Sequence, residues 1–385
     1  MVGGYENLQC YTPTQQFGMQ RYEEANVAIV SLHFQGDSVL AIHSDFTLCS
    51  YKFYPQTRGA HPFQLKTHKI RKLDYKSSIY AHSSASHVQE SSFALAKGGI
   101  DKSDEPGSSI TDVSLFLMSV GYYDNSIKVH NTSTDKQSTI NGIHRGQINC
   151  IQVSADGTIV VTGGEDSTCI VWVIDYEDFA KSIANGVLQP GERSAGEYLR
   201  CCHVLLGHTT PVTCLAISTK LDIVISGSKD GSICLHNIRS GKFIRSLHID
   251  ALSHEVVNSC VGNAIPVIKL ALHSDGIFVA HLADKSLHVV TVNGHRLAKA
   301  YVGELLNSIV LCSHTSTLIT GGEQGFTKIW NIHDLCVKCS IDLSRYGQIR
   351  SMVLVPSDHS PKAQYLCVGS ENGLMSVVFK NLEWK

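Results

Sequence analysis

Four residues in this 385-residue chain, His144, Thr162, Asp166 and Trp172, include the chemical types of a hydrolytic site. A carboxylate that orients an imidazole, with the imidazole taking a proton from a hydroxyl, is how a hydroxyl becomes a nucleophile. That chemistry also needs an exposed hydroxyl and donors for an oxyanion, and the sequence signals neither. The same side chains can instead make a buried network: carboxylate to imidazole, imidazole to hydroxyl, and the indole N–H closing the chain and pinning a loop to a strand. Two later segments favour this second use. One keeps His208, Ser226 and Asp230 but has His236 where the indole would be; the other keeps Thr320 and Trp330 but has Gln324 for the acid. Copies that lose different members suit a packing device and not a shared reaction centre. His144, Thr162, Asp166, Trp172, His208, Ser226 and Asp230 are therefore read as structural, and no residue is assigned a catalytic role.

Other chemistry is thinly signalled. Cys336-Val-Lys-Cys339 is a lone CxxC with no second pair, and on a strand its two thiols point to opposite faces. Cys201-Cys202 reads as strand packing, and the 20 histidines are scattered singly. Neither a GxxxxGK phosphate loop nor a GxSxG elbow is found. No cofactor and no metal ion are expected.

The elements that position these residues recur along the chain. A short apolar strand, a small-residue turn carrying an acid or amide, and a second apolar strand repeat most clearly at 159–172, 223–236 and 318–330, and more weakly at 39–51, 117–130, 278–290 and 366–378. The turn pivots are Asp45, Asp124, Asp166, Asp230, Asp284, Gln324 and Asn372. Asp284 to Gln324 and Asp124 to Asp166 span 40 and 42 residues, matching the roughly 40–45 residues of a four-stranded propeller blade. Longer intervals are a blade plus an insertion. Further strands flank each pair, giving an order a, b, c, d, and no sustained helical period intervenes. The fold expected is an all-β, seven-bladed β-propeller with four antiparallel strands per blade, spanning residues 24–385, with insertions near 75–110 and 174–196. A single blade cannot cover both faces of its sheet, so the ring must close. Residues 1–23 are expected to supply a closing strand, removing a free sheet edge.

Composition agrees with a globular chain: 43% hydrophobic and 17% charged residues. A net charge of −2 leaves no basic excess for phosphates, so nucleic acid is not expected as a partner. The first residues lack the basic-then-apolar run of a signal peptide. Cys150, Cys169, Cys214, Cys234, Cys312 and Cys367 sit within apolar runs and read as small buried hydrophobes of a reducing compartment. A cytoplasmic protein is expected.

The spacing of His144, Thr162, Asp166 and Trp172 resembles that of WD-repeat blades, and several phrases narrow the resemblance. Met118-Ser-Val-Gly-Tyr-Tyr-Asp-Asn-Ser-Ile-Lys-Val129, Gly207-His-Thr-Thr-Pro-Val-Thr-Cys214 with 221–228, Val292-Asn-Gly-His-Arg-Leu-Ala298, and the terminal Phe379 and Trp384 are similar, in order, to the C-terminal WD-repeat propeller of BEACH-domain, neurobeachin-like proteins. That resemblance implies a protein-binding scaffold acting in vesicle traffic, lysosomal size control or autophagy, peripheral on endomembranes and touching membrane only indirectly. It also implies a BEACH domain upstream, which has no counterpart in these residues, as a partner. Competing readings are a generic WD-repeat subunit, such as a ubiquitin-ligase substrate receptor or an RNA-processing factor, and an enzyme, which would need acids or metal ligands clustered in the central channel.

Binding residues tend to lie on loops held by a rigid frame. The b–c turns and the approaches to strand a form one face, with Tyr123, Arg145, Glu165, Thr209, Lys229, Lys285, Gln324 and Arg350 as candidate contacts for other proteins. Tyr122 is read as packing. The segments 98–109, between strands a and b, and 174–196, between c and d, fall on the opposite face of adjacent blades and are expected to form a docking lip.

Overall fold

In a computed structural model, the chain is described for residues 5–9, 16–22, 27–35, 38–55, 63–72, 93–98, 114–131, 137–174, 199–249, 264–312, 316–355 and 363–380. Six four-stranded antiparallel sheets form blades 1 to 6, each in the order a-b-c-d. Blade 1 comprises Ile29–Gln35, Ser38–His43, Thr47–Pro55 and Phe63–Lys72; blade 2, Phe93–Gly98, Ser114–Ser119, Ile127–Asn131 and Gln137–Ile140. Blade 3 comprises Ile148–Val153, Ile159–Gly164, Cys169–Ile174 and Leu199–Leu205; blade 4, Val212–Ser218, Ile223–Ser228, Ser232–Asn237 and Phe243–His248. Blade 5 runs through Val267–Leu272, Ile277–Leu282, Ser286–Thr291 and Arg296–Tyr301, and blade 6 through Leu306–Cys312, Thr317–Gly322, Phe326–Asn331 and Val337–Asp342.

The last sheet departs from the expectation of seven four-stranded blades. It has five strands: Ile349–Val355, Ala363–Ser370, Gly373–Lys380, then Gln16–Tyr22 and Tyr5–Gln9. Gln16–Tyr22 pairs antiparallel with Gly373–Lys380, Met19 opposite Val377. Tyr5–Gln9 pairs in turn with Gln16–Tyr22. Two N-terminal strands, and not one, therefore extend this sheet, because a short hairpin can pair with an edge as a unit.

The apolar faces of neighbouring sheets make the core. Trp172, Ile151 and Val160 of blade 3 pack with Phe116, Met118 and Val129 of blade 2, and Phe278 and Val290 of blade 5 pack with Ile225 and Leu235 of blade 4. Ile29, Leu32 and Val39 of blade 1 pack with Val355 and Cys367 of the last sheet, joining the chain's two ends. Glycine near the end of strand b lets the next sheet approach closely. A Cβ on Gly163 would lie 2.6 Å from Val212, and one on Gly369 would lie 2.6 Å from Ile29. Hydrogen bonds cross the same junctions: the Leu32 amide donates to Ser351 Oγ at 2.9 Å, and Asn149 Nδ2 donates to the Val212 carbonyl at 3.0 Å. A register shift follows the first residue of strand a in blades 1, 3, 4, 5 and 6, which strengthens the local twist.

The proposed lip lies outside the described residues. Its flanks are placed: 98 ends strand a of blade 2, and 174 ends strand c of blade 3. The six cysteines expected to be buried are buried. Cys336 is exposed in the turn before strand d of blade 6, while Cys339 is buried, so the CxxC pair does not share an environment. No helix among the described residues is long and apolar enough to cross a membrane.

Candidate functional site

Strand b of blade 3 carries Thr162, strand c carries Trp172, the b–c turn carries Asp166, and the approach to strand a carries His144. The structure brings the four together. Trp172 Nε1 donates to Thr162 Oγ1 at 3.0 Å, and Thr162 Oγ1 lies 2.8 Å from His144 Nε2. His144 Nδ1 lies 3.0 and 3.1 Å from the Asp166 carboxylate oxygens. An N–H on Nδ1 facing a carboxylate makes Nε2 the acceptor of the Thr162 proton. Asp166 also accepts from the Arg145 amide at 2.8 Å and from Thr168 Oγ1 at 2.8 Å. Burial works to raise the Asp166 pKa, but the Thr168 hydroxyl, the Arg145 amide and His144 hold it below the usual carboxylate range. Burial lowers the His144 pKa against the pull of Asp166, keeping the imidazole neutral. Thr162 has no exposed surface. The geometry of a triad is present, but its hydroxyl is sealed from any substrate.

Blade 4 solves the same problem differently. His208 Nε2 meets Ser226 Oγ at 2.8 Å, but His208 Nδ1 meets Ser232 Oγ at 2.8 Å and not Asp230. Asp230 instead accepts from the Ser232 amide at 2.9 Å and from Thr209 Oγ1 at 3.3 Å. His236, in the indole position, turns away from Ser226; its Nε2 meets the Leu206 carbonyl at 2.9 Å, and its ring stands edge-on to Phe243. In blade 6, Trp330 Nε1 donates to Thr320 Oγ1 at 2.8 Å. The acid missing at Gln324 is supplied by Glu304, whose Oε2 accepts the Gln324 amide at 2.9 Å and whose Oε1 lies 3.6 Å from Lys328 Nζ. Glu304 was not among the residues singled out from sequence, because it lies two residues after the position that matches His144 and His208 and so breaks their spacing.

A second regularity was also missed. In five of the seven copies the residue two after the pivot carries a hydroxyl, which donates from Thr47 to Asp45 at 2.8 Å, from Ser126 to Asp124 at 2.6 Å and from Ser286 to Asp284 at 2.5 Å. The residue directly after the pivot has a left-handed backbone in all seven copies, including Phe46 at φ 63° and Gly373 at φ 122°. A D-x-[S/T] pattern in register with the pivots was the available signal.

One face gathers the candidate contacts, because in every blade but the second the described turn is stapled to the approach to strand a. The Glu165 amide donates to the Gln147 carbonyl at 2.8 Å, Lys229 to Pro211 at 3.1 Å, Glu323 to Leu305 at 3.1 Å and Glu371 to Gln348 at 3.2 Å. Tyr123 is 61% exposed, whereas Tyr122 is fully buried, its hydroxyl 2.7 Å from Ser119 Oγ. Arg145, Glu165, Thr209, Lys229 and Gln324 are exposed. Lys285 is half-buried and occupies the left-handed turn position at φ 68°. Arg350 differs: its side chain is 17% exposed and held 3.0 Å from Glu371. The central channel, a cavity of about 420 Å³, is walled by inner strands, with His33, Gln152 and Lys269 among apolar neighbours and no carboxylate among its described lining residues.

Residues 107–378 match the neurobeachin beta propeller domain. The chain belongs to that propeller family. Among curated relatives, BEACH domain-containing protein B of Arabidopsis thaliana is 33% identical over 212 residues, covering 54% of this chain and 8% of that protein. BEACH domain-containing protein lvsE of Dictyostelium discoideum is 22% identical over 355 residues, covering 89% of this chain and 14% of its own. Protein SPIRRIG of Arabidopsis thaliana is 28% identical over 223 residues, covering 55% and 5%. The chain thus spans a small part of each relative's length. A crystal structure of the computationally designed Ika8 protein superposes with a TM-score of 0.56 at 18% identity over 93% of this chain and 98% of that one, a likeness of fold alone. The neurobeachin-type propeller accounts for the resemblance of the 118–129 and 207–228 phrases, which lie within the matched residues.

Proposed function

We propose that this chain is a non-catalytic protein-interaction scaffold of BEACH type, serving vesicle traffic, lysosomes or autophagy from the cytoplasmic side of endomembranes. Membership of the neurobeachin propeller family carries the reading. The buried Thr162 hydroxyl supports the non-catalytic part, since a nucleophile needs access. On this reading the five-stranded sheet is the seventh blade, and residues 1–23 are the clasp that closes the ring. Two observations support this: the Gln16–Tyr22 pairing to Gly373–Lys380, and the Leu32 amide donating to Ser351 Oγ. The stapled face, with Tyr123, Arg145, Glu165 and Thr209 outermost, is the contact surface, and a BEACH domain or another protein is the partner.

The test is proximity labelling in cells with the chain fused to a biotin ligase, beside a Tyr123→Ala, Arg145→Ala, Thr209→Ala variant. The expected result is a labelled set of membrane-traffic proteins that the variant reduces several-fold. Ubiquitin-ligase or RNA-processing components dominating the set, or identical sets from both chains, would overturn the reading.

A further inference from the structure

Of the nine large hydrophobic side chains exposed among the described residues, four lie on the outer rim of blades 3 and 4: Val204 at 52%, Leu206 at 67%, Phe243 at 51% and Ile244 at 45%. A contiguous apolar patch on a soluble surface marks a binding site more often than isolated exposed residues do. Leu206 and Phe243 are held side by side by specific contacts. The Phe243 ring lies against the backbone of Gly207, next to Leu206, where a Cβ would meet it at 3.4 Å. His236 fixes this arrangement by holding the Leu206 carbonyl and packing edge-on to Phe243. His203 Nε2 meets the Arg239 carbonyl at 2.9 Å, tying the outer strand of blade 3 to the c–d turn of blade 4.

Two further observations define the occupant. Strand Phe243–His248 ends its sheet, and among the described residues no strand pairs with its outer side, so a row of backbone donors and acceptors is presented there. Arg200 on the outer strand of blade 3, and Arg239 and Lys242 at the turn into the outer strand of blade 4, are exposed, and among the described residues Asp222 is the carboxylate that pairs with one of them, Arg239. Arg239 is 84% exposed even with Asp222 at 3.8 Å, and Arg245 reaches the Asn293 carbonyl of the neighbouring blade at 2.7 Å. The molecule also contains its own precedent: the last sheet takes a fifth strand, Tyr5–Gln9, at its outer edge.

We propose that the outer edge of blade 4, with Val204 and Leu206 of blade 3, docks an acidic, extended segment of a partner protein that adds to the sheet as a fifth strand. Backbone pairing along Phe243–His248 supplies affinity, and alternate side chains supply specificity, apolar ones against Leu206 and Phe243 and acidic ones toward Arg200, Arg239 and Lys242. This rests on the scaffold reading but concerns the rim and not the stapled face.

The test uses the full chain and a fluorescein-labelled ten-residue peptide that alternates Glu with Val and Ile, followed by anisotropy, with hydrogen exchange on the complex. The expected result is saturable binding, protection of the 243–248 amides, and at least tenfold weaker binding for Leu206→Ser with Phe243→Ser and for Arg239→Glu with Lys242→Glu. Val337→Ser, at an exposed hydrophobic residue on the outer strand of blade 6, leaves binding unchanged, and the version with Lys for Glu does not bind. The proposal is overturned if the acidic peptide fails to bind, if both rim variants bind it as the parent does, or if phosphatidylserine vesicles or poly-U RNA bind this surface in its place. Rim variants that leave the proximity-labelled set intact while the peptide fails would remove the edge proposal and leave the scaffold reading standing.

Discussion

Thr162 carries the blade 3 network, since its hydroxyl accepts from Trp172 and meets His144 at 2.8 Å. Thr162→Val keeps the shape and removes both bonds, leaving a buried indole N–H and an imidazole nitrogen unpaired. An unsatisfied buried polar group costs about 1–3 kcal/mol, so the variant should lose about 2–4 kcal/mol in urea unfolding. A loss below about 0.5 kcal/mol would show that the network does not hold the blade. Acid should act through other histidines. Burial pushes His208, His281 and His288 down to about 4, while in the unfolded chain they titrate near 6.5. Their neutral forms suit the fold, so their stabilising contribution is complete above about pH 6.5 and is lost as pH falls toward 4. His281 is the clearest case: Nδ1 donates to the Ser286 carbonyl and Nε2 accepts the Leu306 amide, and protonation destroys the second bond. Urea midpoints should fall between pH 7 and 5, and His281→Asn should flatten that slope even though it lowers stability at pH 7. The blade 3 members were legible because their spacing survives intact. Glu304 was not, because its blade moves the acid from the turn to the loop, and spacing alone does not show that Ser232 stands between His208 and Asp230.

Each b–c turn requires a left-handed residue after its pivot, and the sequence meets this unevenly. Gly231, Gly325 and Gly373 adopt it without strain, whereas Phe46, Asn125, Ser167 and Lys285 adopt it with a Cβ. For an L residue this conformation costs about 1–2 kcal/mol, part of which glycine returns in unfolded-state entropy. Lys285→Gly should therefore raise stability by about 0.5–1 kcal/mol, read as a higher thermal midpoint. Gly231→Ala should lower it by more, because its Cβ would lie 2.7 Å from the Ile265 carbonyl oxygen at φ 79°. The strands around these turns were legible from alternation and from the pivots. The positive φ at Phe46 and Lys285 was not, because neither residue type favours such a turn.

The sheets succeed one another around a central channel, and the first and last meet through Ile29 at Gly369 and Leu32 at Ser351. Closure was inferred from the need of each blade for a neighbour, but the fifth strand was not, because period-two patterning cannot say which distant edge an N-terminal hairpin joins. An open array of repeats can unfold piecemeal, whereas a closed ring couples its members. The most direct test is equilibrium unfolding of two variants that each keep one indole, Trp172 in blade 3 or Trp330 in blade 6, with and without residues 1–23. A closed, clasped ring predicts one shared midpoint for both reporters and a parallel fall in both when the segment is removed. Separate midpoints for the two indoles, or no change on deleting residues 1–23, would contradict it.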